Sequence, residues 1–233
     1  MSSNNTSEMT AHIRERAIQL GVSLSGVTSI DKLRNAPSYE VCKAVPLPPG
    51  AESFLVLALS HKASEPELDW WGVKGGSAGN YRLQVISEEL RQWVKTEYGM
   101  KATPLPYDPE KGGIFLKDAA ALAGVGILGA NNLLITPEYG PRIRFRAIAF
   151  DAELEPTGPK ECSPCDSCHK PCIEACPQNA LATGSYSRDR CQVQMNEDVS
   201  NKVILDQSEE DGNQSVRIKY CRACELACPV GNN

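Results

Sequence analysis

Nine of the chain's ten cysteines fall between residues 162 and 228, in two bursts that each close on Cys-Pro. The first burst holds Cys162, Cys165, Cys168, Cys172 and Cys176-Pro177, the second Cys221, Cys224 and Cys228-Pro229, and Cys191 stands alone between them. Thiolates are soft ligands suited to iron-sulfur clusters, and a four-iron cluster takes four of them. Where three closely spaced cysteines are followed by a distant fourth before proline, the fourth ligand serves a neighbouring cluster. The two bursts therefore read as one interlocked module for two 4Fe-4S clusters, which need eight thiolates where nine are at hand.

The spacing assigns Cys165, Cys168, Cys172 and the far Cys228 to one cluster, and Cys176, Cys191, Cys221 and Cys224 to the other. A rival register, Cys162, Cys165, Cys168 and Cys172, avoids the extra residue between Cys168 and Cys172. Proline follows Cys176 whereas Ile173 follows Cys172, which favours the first register and leaves Cys162 spare. Disulfides belong to oxidising compartments. The N-terminal MSSNNTSEMT has no apolar core, basic start or twin arginine, so a cytoplasmic location is expected. Structural zinc would take two cysteine pairs a dozen or more residues apart, and a five-cysteine burst overfills such a site. Cys42, in a proline-rich stretch, reads as an ordinary thiol.

The elements that must position these thiols divide at about residue 155, into a cysteine-poor part, 1–155, and a cluster-bearing part, 156–233. The first part alone is long enough to bury a core. A net charge of −5 gives no general attraction to nucleic acid, and no apolar run reaches the roughly 20 residues of a membrane helix. Helical spacing of Ile13, Ala17 and Leu20 predicts a helix over 6–20, stopped by Gly21, and a strand over 22–27. Four prolines between Ala36 and Ala51 predict no regular structure there. The unbroken apolar run Phe54–Leu59 predicts a central strand covered on both faces. Asn80–Tyr98 carries the stripe Leu83, Ile86, Leu90 and Trp93 or Val94 of an amphipathic helix. A short strand over 102–105, a loop over 106–113 and a helix over 114–123 follow. Asn132–Thr136 and Arg142–Phe150 read as a strand pair joined by the turn at 137–141. In the second of these, Arg142, Arg144 and Arg146 alternate with apolar residues, so the arginine face is expected to be solvated. The acidic run Ser208–Asp211 reads as a solvated loop.

The string Gly124-x-Gly126-x-x-Gly129 has the glycines of a dinucleotide site in the wrong context, since that mechanism needs a strand before them and a helix after. Read as a whole, 123–142 (AGVGILGANNLLITPEYGPR) resembles the corrinoid-binding core shared by reductive dehalogenases and epoxyqueuosine reductases, the ITPEYGPR wording leaning toward the former. Both families set this segment just upstream of a double-cluster ferredoxin domain, as here. The resemblance implies an α/β (α+β) fold, a nitroreductase-like corrinoid-binding domain fused to a bacterial-type ferredoxin domain with two 4Fe-4S clusters. It implies cobalamin held by Gly124, Gly126, Gly129, Asn132, Leu134, Thr136, Tyr139 and Gly140, with no protein ligand below cobalt. His12, His61 and His169, none in a cobalt-ligating context, are expected to have surface or packing roles.

The function so implied is that of a cobalamin-dependent reductase, an oxidoreductase in which the clusters pass electrons to cobalt. A low-potential ferredoxin or flavodoxin would be the donor, and a small molecule or a corrinoid the substrate. Glu110 lies at about the distance of the acidic proton donor of epoxyqueuosine reductases, and Tyr107 is similar to the tyrosine donor of dehalogenases, so these two are the catalytic candidates. Epoxyqueuosine reductases continue past the last Cys-Pro into a helical repeat domain that docks tRNA, and this chain stops there, so no tRNA partner is expected. Respiratory dehalogenases are longer and carry an export signal, so no membrane role is expected either. A ferredoxin-type electron carrier without corrinoid, and a cobalamin-reducing or cobalamin-handling protein, are the competing readings. Trp70 and Trp71 are expected to pack on the domain surface.

Overall fold

A computed structural model describes residues 3–72, 76–161, 164–206 and 215–231. Cys162 and the acidic run Ser208–Asp211 lie outside these residues. Helix α1 (Ser3–Gln19) leads into strand β1 (Leu24–Ser29). The Ser29 hydroxyl accepts the Lys32 N–H and so caps α2 (Ile30–Arg34). A further short helix, α3 (Pro37–Val41), corrects the expectation of no regular structure there. Pro37 opens that helix, at a position where the missing N–H costs nothing and the fixed φ suits the turn. Next come β2 (Ser53–Ser60), β3 (Trp71–Gly72) and β4 (Gly76–Ser77). The long α4 (Ala78–Tyr98) is capped by Ser77 and ended by Gly99 in the left-handed region. After β5 (Ala102–Pro104) and α5 (Leu116–Leu122), a small hairpin of β6 (Ile127–Leu128) and β7 (Leu134–Ile135) precedes β8 (Ile143–Phe150). The remainder holds α6 (Pro171–Glu174), α7 (Arg188–Ser200), β9 (Val203–Asp206), β10 (Ser215–Ile218) and α8 (Ala223–Leu226).

The main sheet has the order β1-β2-β8-β5, with every neighbouring pair antiparallel. Alternation along β2 sends Phe54, Val56 and Ala58 to one face and Leu55, Leu57 and Leu59 to the other, and both faces are buried. On the second face pack Ile13 and Ala17 of α1 with Leu83, Leu90 and Val94 of α4. On the first lie Leu33, Tyr39, Ala119 and Ala120 from α2, α3 and α5. Helical cover on both sides explains why this antiparallel strand reads as one continuous apolar run. Leu57→Ala would empty a fully buried site at the centre of the sheet. We expect it to cost about 2–5 kcal/mol, read as a lower urea midpoint at unchanged m-value.

The expected pairing of 132–136 with 142–150 does not form. β7 pairs with β6, closed by the Gly129 N–H on the Leu133 carbonyl at 2.8 Å. The turn at 137–141 closes on itself through the Thr136–Gly140 bridge. β8 needs a partner of its own length and finds it in the eight residues of β2. Arg144 and Arg146 thereby point to the face that α4 covers, and the expected solvated arginine face is instead buried or half-buried. Arg146 is satisfied by the Asn80 side-chain oxygen at 2.8 Å and the Leu105 carbonyl at 2.9 Å. A second sheet, β4-β3-β10-β9, joins the two halves of the chain, because β3 pairs with β10.

Candidate functional site

Two short helices ending on Cys-Pro, α6 and α8, bring the bursts together. Each is followed, three residues past its end, by a proline that cannot continue the helix. The thiols then fall into two neighbourhoods. Burial pushes the Cys172 thiol up, and the nearby Cys228, Cys165 and Cys168 push it further. Cys224 is raised to about 12, first by burial and then by Cys221, Cys176, Glu225 and Cys191. Cys221 feels Cys176 and Cys191 in the same way, after its own burial and Asp198. Each neighbourhood thus draws on both bursts, Cys228 joining the first and Cys176 the second.

Crowded, buried thiols resist ionising unless a cation offsets the charge, which is what coordinated metal supplies. A tetrahedral zinc would draw thiolates to within about 3.8 Å of one another. Among the described residues no three of these sulfurs stand within 4.8 Å. A cube of iron and sulfide is wider than one ion and suits the larger spacing. Cys42 is exposed.

Arg222, inside the Cys221-x-x-Cys224 loop, ties that loop to the first part of the chain. Its guanidinium reaches Asp69 Oδ2 at 2.8 Å and also pairs with Glu225. Asp69 Oδ2 stands 2.8 Å from His61 Nδ1, and Asp69 pairs with Arg144. His61 is 5% exposed and Asp69 3%, so this is a buried ionic lattice. Burial would raise the Asp69 pKa, but the contact with His61 and the charges of Arg144, His61 and Arg222 hold it below the ordinary value. His61 therefore departs from the expected surface or packing role. The other two histidines are exposed, with His12 bonded to the Tyr98 hydroxyl.

Between the main sheet and the second lies a cavity of about 210 Å³, walled by Trp71, Tyr107, Lys117, Leu134, Arg144 and Phe145 among others. A more open one of about 720 Å³ shares Trp71, Asn80 and Tyr107 and adds Lys111, Lys202 and Tyr220. Trp71 meets Tyr107 and Tyr220 edge to face, each at 5.9 Å, so it lines a cavity rather than only packing on the surface. Trp70 lies under Lys219 at 4.3 Å. Lys117 was not singled out by the sequence. Its ammonium donates to the Asn132 carbonyl at 2.8 Å, and burial pulls its pKa down against Asp118 and Cys191. Tyr107 is 49% exposed at the cavity wall, whereas Glu110 is exposed on a 3-10 turn, its N–H held by the Asp108 carboxylate.

The expected corrinoid residues separate. Leu134 lines the smaller cavity, and Gly124 lines a different one near Arg14 and Lys160. At Gly126 and Gly129 an added Cβ would stand 2.4 and 2.5 Å from Ile135 atoms, so these glycines admit the protein's own hairpin rather than a ligand. Asn132 takes a positive φ of 58° and turns its carbonyl to Lys117. Buried Thr136 accepts the Tyr139 N–H and donates to the Gly140 carbonyl. Gly140 crosses the C-terminal segment, where a Cβ would meet the Val230 carbonyl oxygen at 2.0 Å. Arg142 clamps the same segment, donating to the Val230 carbonyl at 2.6 Å. Loss of that charged bond in Arg142→Ala should cost about 1.5–3 kcal/mol, and faster amide exchange confined to 228–231 is the expected signature. What remains for a flat ligand is the wall of Trp71, Tyr107, Leu133, Leu134, Ile143 and Phe145, mostly apolar with a few polar groups, as small-molecule sites are.

No protein-family model matches the chain. An epoxyqueuosine reductase of Listeria monocytogenes is 32% identical over 111 residues, 47% of this chain and 28% of that protein. A tetrachloroethene reductive dehalogenase of Desulfitobacterium hafniense is 40% identical over 65 residues, 27% of this chain and 12% of the relative. The chain is related to both groups. The matched stretches cover well under half the length of these curated relatives. Among solved structures, an epoxyqueuosine reductase with an epoxyqueuosine-modified tRNA-Tyr stem loop matches with a TM-score of 0.68 at 19% identity, over 97% of this chain and 66% of that one. A catabolic reductive dehalogenase in complex with 3-bromo-4-hydroxybenzoic acid matches at 0.68 and 15% identity, over 98% of this chain and 32% of the other. The mixed α/β fold of these structures is the fold found here. With a tRNA complex among the structures matched over nearly the whole chain, the expectation against tRNA has no support.

Among the described residues no helix is long and apolar enough to cross a membrane.

Proposed function

We propose that the chain is a reductase that moves electrons through two 4Fe-4S clusters to a corrinoid. The observation that carries this reading is the sorting of eight thiols into two neighbourhoods of four, each drawn from both bursts. Residues 156–233 would form the ferredoxin-like domain and 1–155 the nitroreductase-like one. Cys165, Cys168, Cys172 and Cys228 would hold one cluster, and Cys176, Cys191, Cys221 and Cys224 the other. When bound, the clusters supply single electrons at low potential and a corrinoid supplies a strongly reducing cobalt.

The chain's own residues would bind, shield and protonate. Trp71, Leu133, Leu134, Ile143 and Phe145 keep water from the cavity, which strengthens every charge inside it. Lys117 and Arg144 meet anionic groups there. The Tyr107 hydroxyl, at the same wall, is the group placed to hand a proton to a reduced substrate. Glu110 would need its loop to swing inward. A loop in the opposite state, an aspartate catalytic loop swung out of the active site, is described for a similar epoxyqueuosine reductase. A low-potential ferredoxin or flavodoxin of the cytoplasm would be the donor.

The test is anaerobic protein with its clusters restored, mixed with hydroxocobalamin and reduced. A perturbed, protein-bound cobalt spectrum, followed by turnover of a modified tRNA stem loop or of an organohalide, is the expected result. An untouched cobalamin spectrum would make the protein a plain electron carrier. Binding without turnover of either substrate would make it a cobalamin-handling protein.

A further inference from the structure

The buried ionic lattice around Arg222 contains the donor set of a metal site. His61 follows the end of β2, Asp69 precedes β3 and Glu225 lies in α8, so the fold gathers the three from well-separated parts of the chain. All three are buried. Among the described residues they are the one group of three metal-binding side chains whose donor atoms all lie within 4.8 Å of one another. An imidazole with two carboxylates is a set that zinc and iron(II) accept. The backbone holds two of them without help from Arg222, since the His61 N–H donates to the Arg142 carbonyl at 3.2 Å and the Asp69 N–H to the Pro66 carbonyl at 3.0 Å.

One cation already touches all three groups. The Arg222 guanidinium brings Nη1 to 2.8 Å from Asp69 Oδ2 and Nη2 to 3.0 Å from His61 Nδ1, and it bonds Glu225 Oε1 through Nε and Nη2. The match is imperfect. His61 Nδ1 lies between an obligate donor, Arg222 Nη2, and a carboxylate oxygen, Asp69 Oδ2 at 2.8 Å, so wherever its proton sits one contact is unmatched. Asp69 Oδ2 is itself buried with no hydrogen bond aligned on it, where buried polar atoms are normally satisfied. A metal ion takes lone pairs from nitrogen and oxygen alike and needs no proton between them.

We propose that His61, Asp69 and Glu225 form a pocket for a divalent ion of the zinc and iron(II) class, and that Arg222 is its resident cation, shutting such ions out. The guanidinium keeps its charge at any working pH. An incoming ion would have to expel it and leave that charge unpaired in a buried place. Metal delivered to Cys221 and Cys224 would otherwise meet a competing site beside them. That use rests on the two-cluster reading, whereas the pocket itself stands on the lattice alone.

The experiment uses the full chain, clusters restored without oxygen, as wild type and Arg222→Ala, each with and without His61→Ala. Each protein is equilibrated with zinc chloride, desalted and assayed for zinc and iron. Wild type should keep no stoichiometric zinc, and Arg222→Ala should keep about one per chain, which the added His61→Ala abolishes. Cobalt(II) in place of zinc should give Arg222→Ala visible ligand-field bands without a sulfur-to-cobalt charge-transfer band, which separates this pocket from the thiols. Zinc should also raise the melting temperature of Arg222→Ala and leave that of wild type unchanged. Arg222→Gln, which keeps most of the stem, carries the same test a second time. The proposal is overturned by zinc in folded Arg222→Ala no higher than in wild type, by zinc that survives His61→Ala, or by wild-type zinc that His61→Ala removes. Failure of both Arg222 variants to fold with zinc present also overturns it, since the ion is expected to take over the bridging. Wild type that takes up no iron sinks the two-cluster reading but not this one, which the zinc difference between Arg222→Ala and its His61→Ala partner still measures.

Discussion

Cys228→Ser is expected to cost the protein one whole cluster, and the one lost is that of Cys165, Cys168 and Cys172 rather than that of the adjacent Cys224. The Cys228 thiol is buried, and its charge environment includes Arg142, Cys165 and Cys168. Cys224, four residues earlier on the same helical unit, feels Cys221, Cys176 and Cys191 instead. Serine is too poor a ligand to hold iron in the thiolate's place, so iron should fall from about eight to about four per chain. Cys224→Ser should give the same iron count with the other cluster missing. The two variants should each leave a single paramagnetic signal, and the two signals should differ. Equal spectra from both, or loss of all iron from either, would mean the fourth ligands do not cross between the bursts.

Asp69→Asn should be the most damaging change outside the cysteines. Asparagine keeps the shape and removes the charge, leaving Arg144 and Arg222 beside a neutral group in a buried site. Breaking a buried ion pair from one side costs about 3–5 kcal/mol. At about 2–4 °C per kcal/mol for a chain of this size, the melting temperature should drop by roughly 6–20 °C. The sign of the pH dependence follows from the depressed pKa of Asp69. Its stabilisation is complete above the unfolded value of about 3.9, and is lost as pH falls through the lower native value. The melting gap between wild type and Asp69→Asn should therefore be full at neutral pH and narrow in strong acid. A gap that widens on acidification would show that Asp69 does not carry the lattice as a carboxylate.

The residues that could be read in advance are those whose chemistry is set by local spacing. The cysteine bursts, the Phe54–Leu59 run and the stripe of α4 each state their environment within a few residues, and the structure gives those two elements the form and cover expected. What stayed hidden depends on contacts far apart in sequence. Arg146 looks solvated along its strand, and only the α4 helix lying over that face, with Asn80 at its start, makes it a buried hydrogen-bonding group. Asp69 and Arg222 meet only because β3 pairs with β10. A charged residue inside Cys221-x-x-Cys224 was the one available hint. The glycine string could be seen but not interpreted, since nothing local tells whether its open side faces a ligand or, as at Gly126, the carbonyl of Ile135. The pairing of 132–136 failed for a related reason, because strand partners are chosen by length and cover rather than by proximity.

The two-cluster claim meets its most direct test in the iron, sulfide and zinc content of protein purified without oxygen. The account predicts about eight irons and eight acid-labile sulfides per chain, no stoichiometric zinc, and an interacting paramagnetic spectrum on reduction. Stoichiometric zinc without sulfide, or cysteines recovered as disulfides under the same conditions, would contradict it.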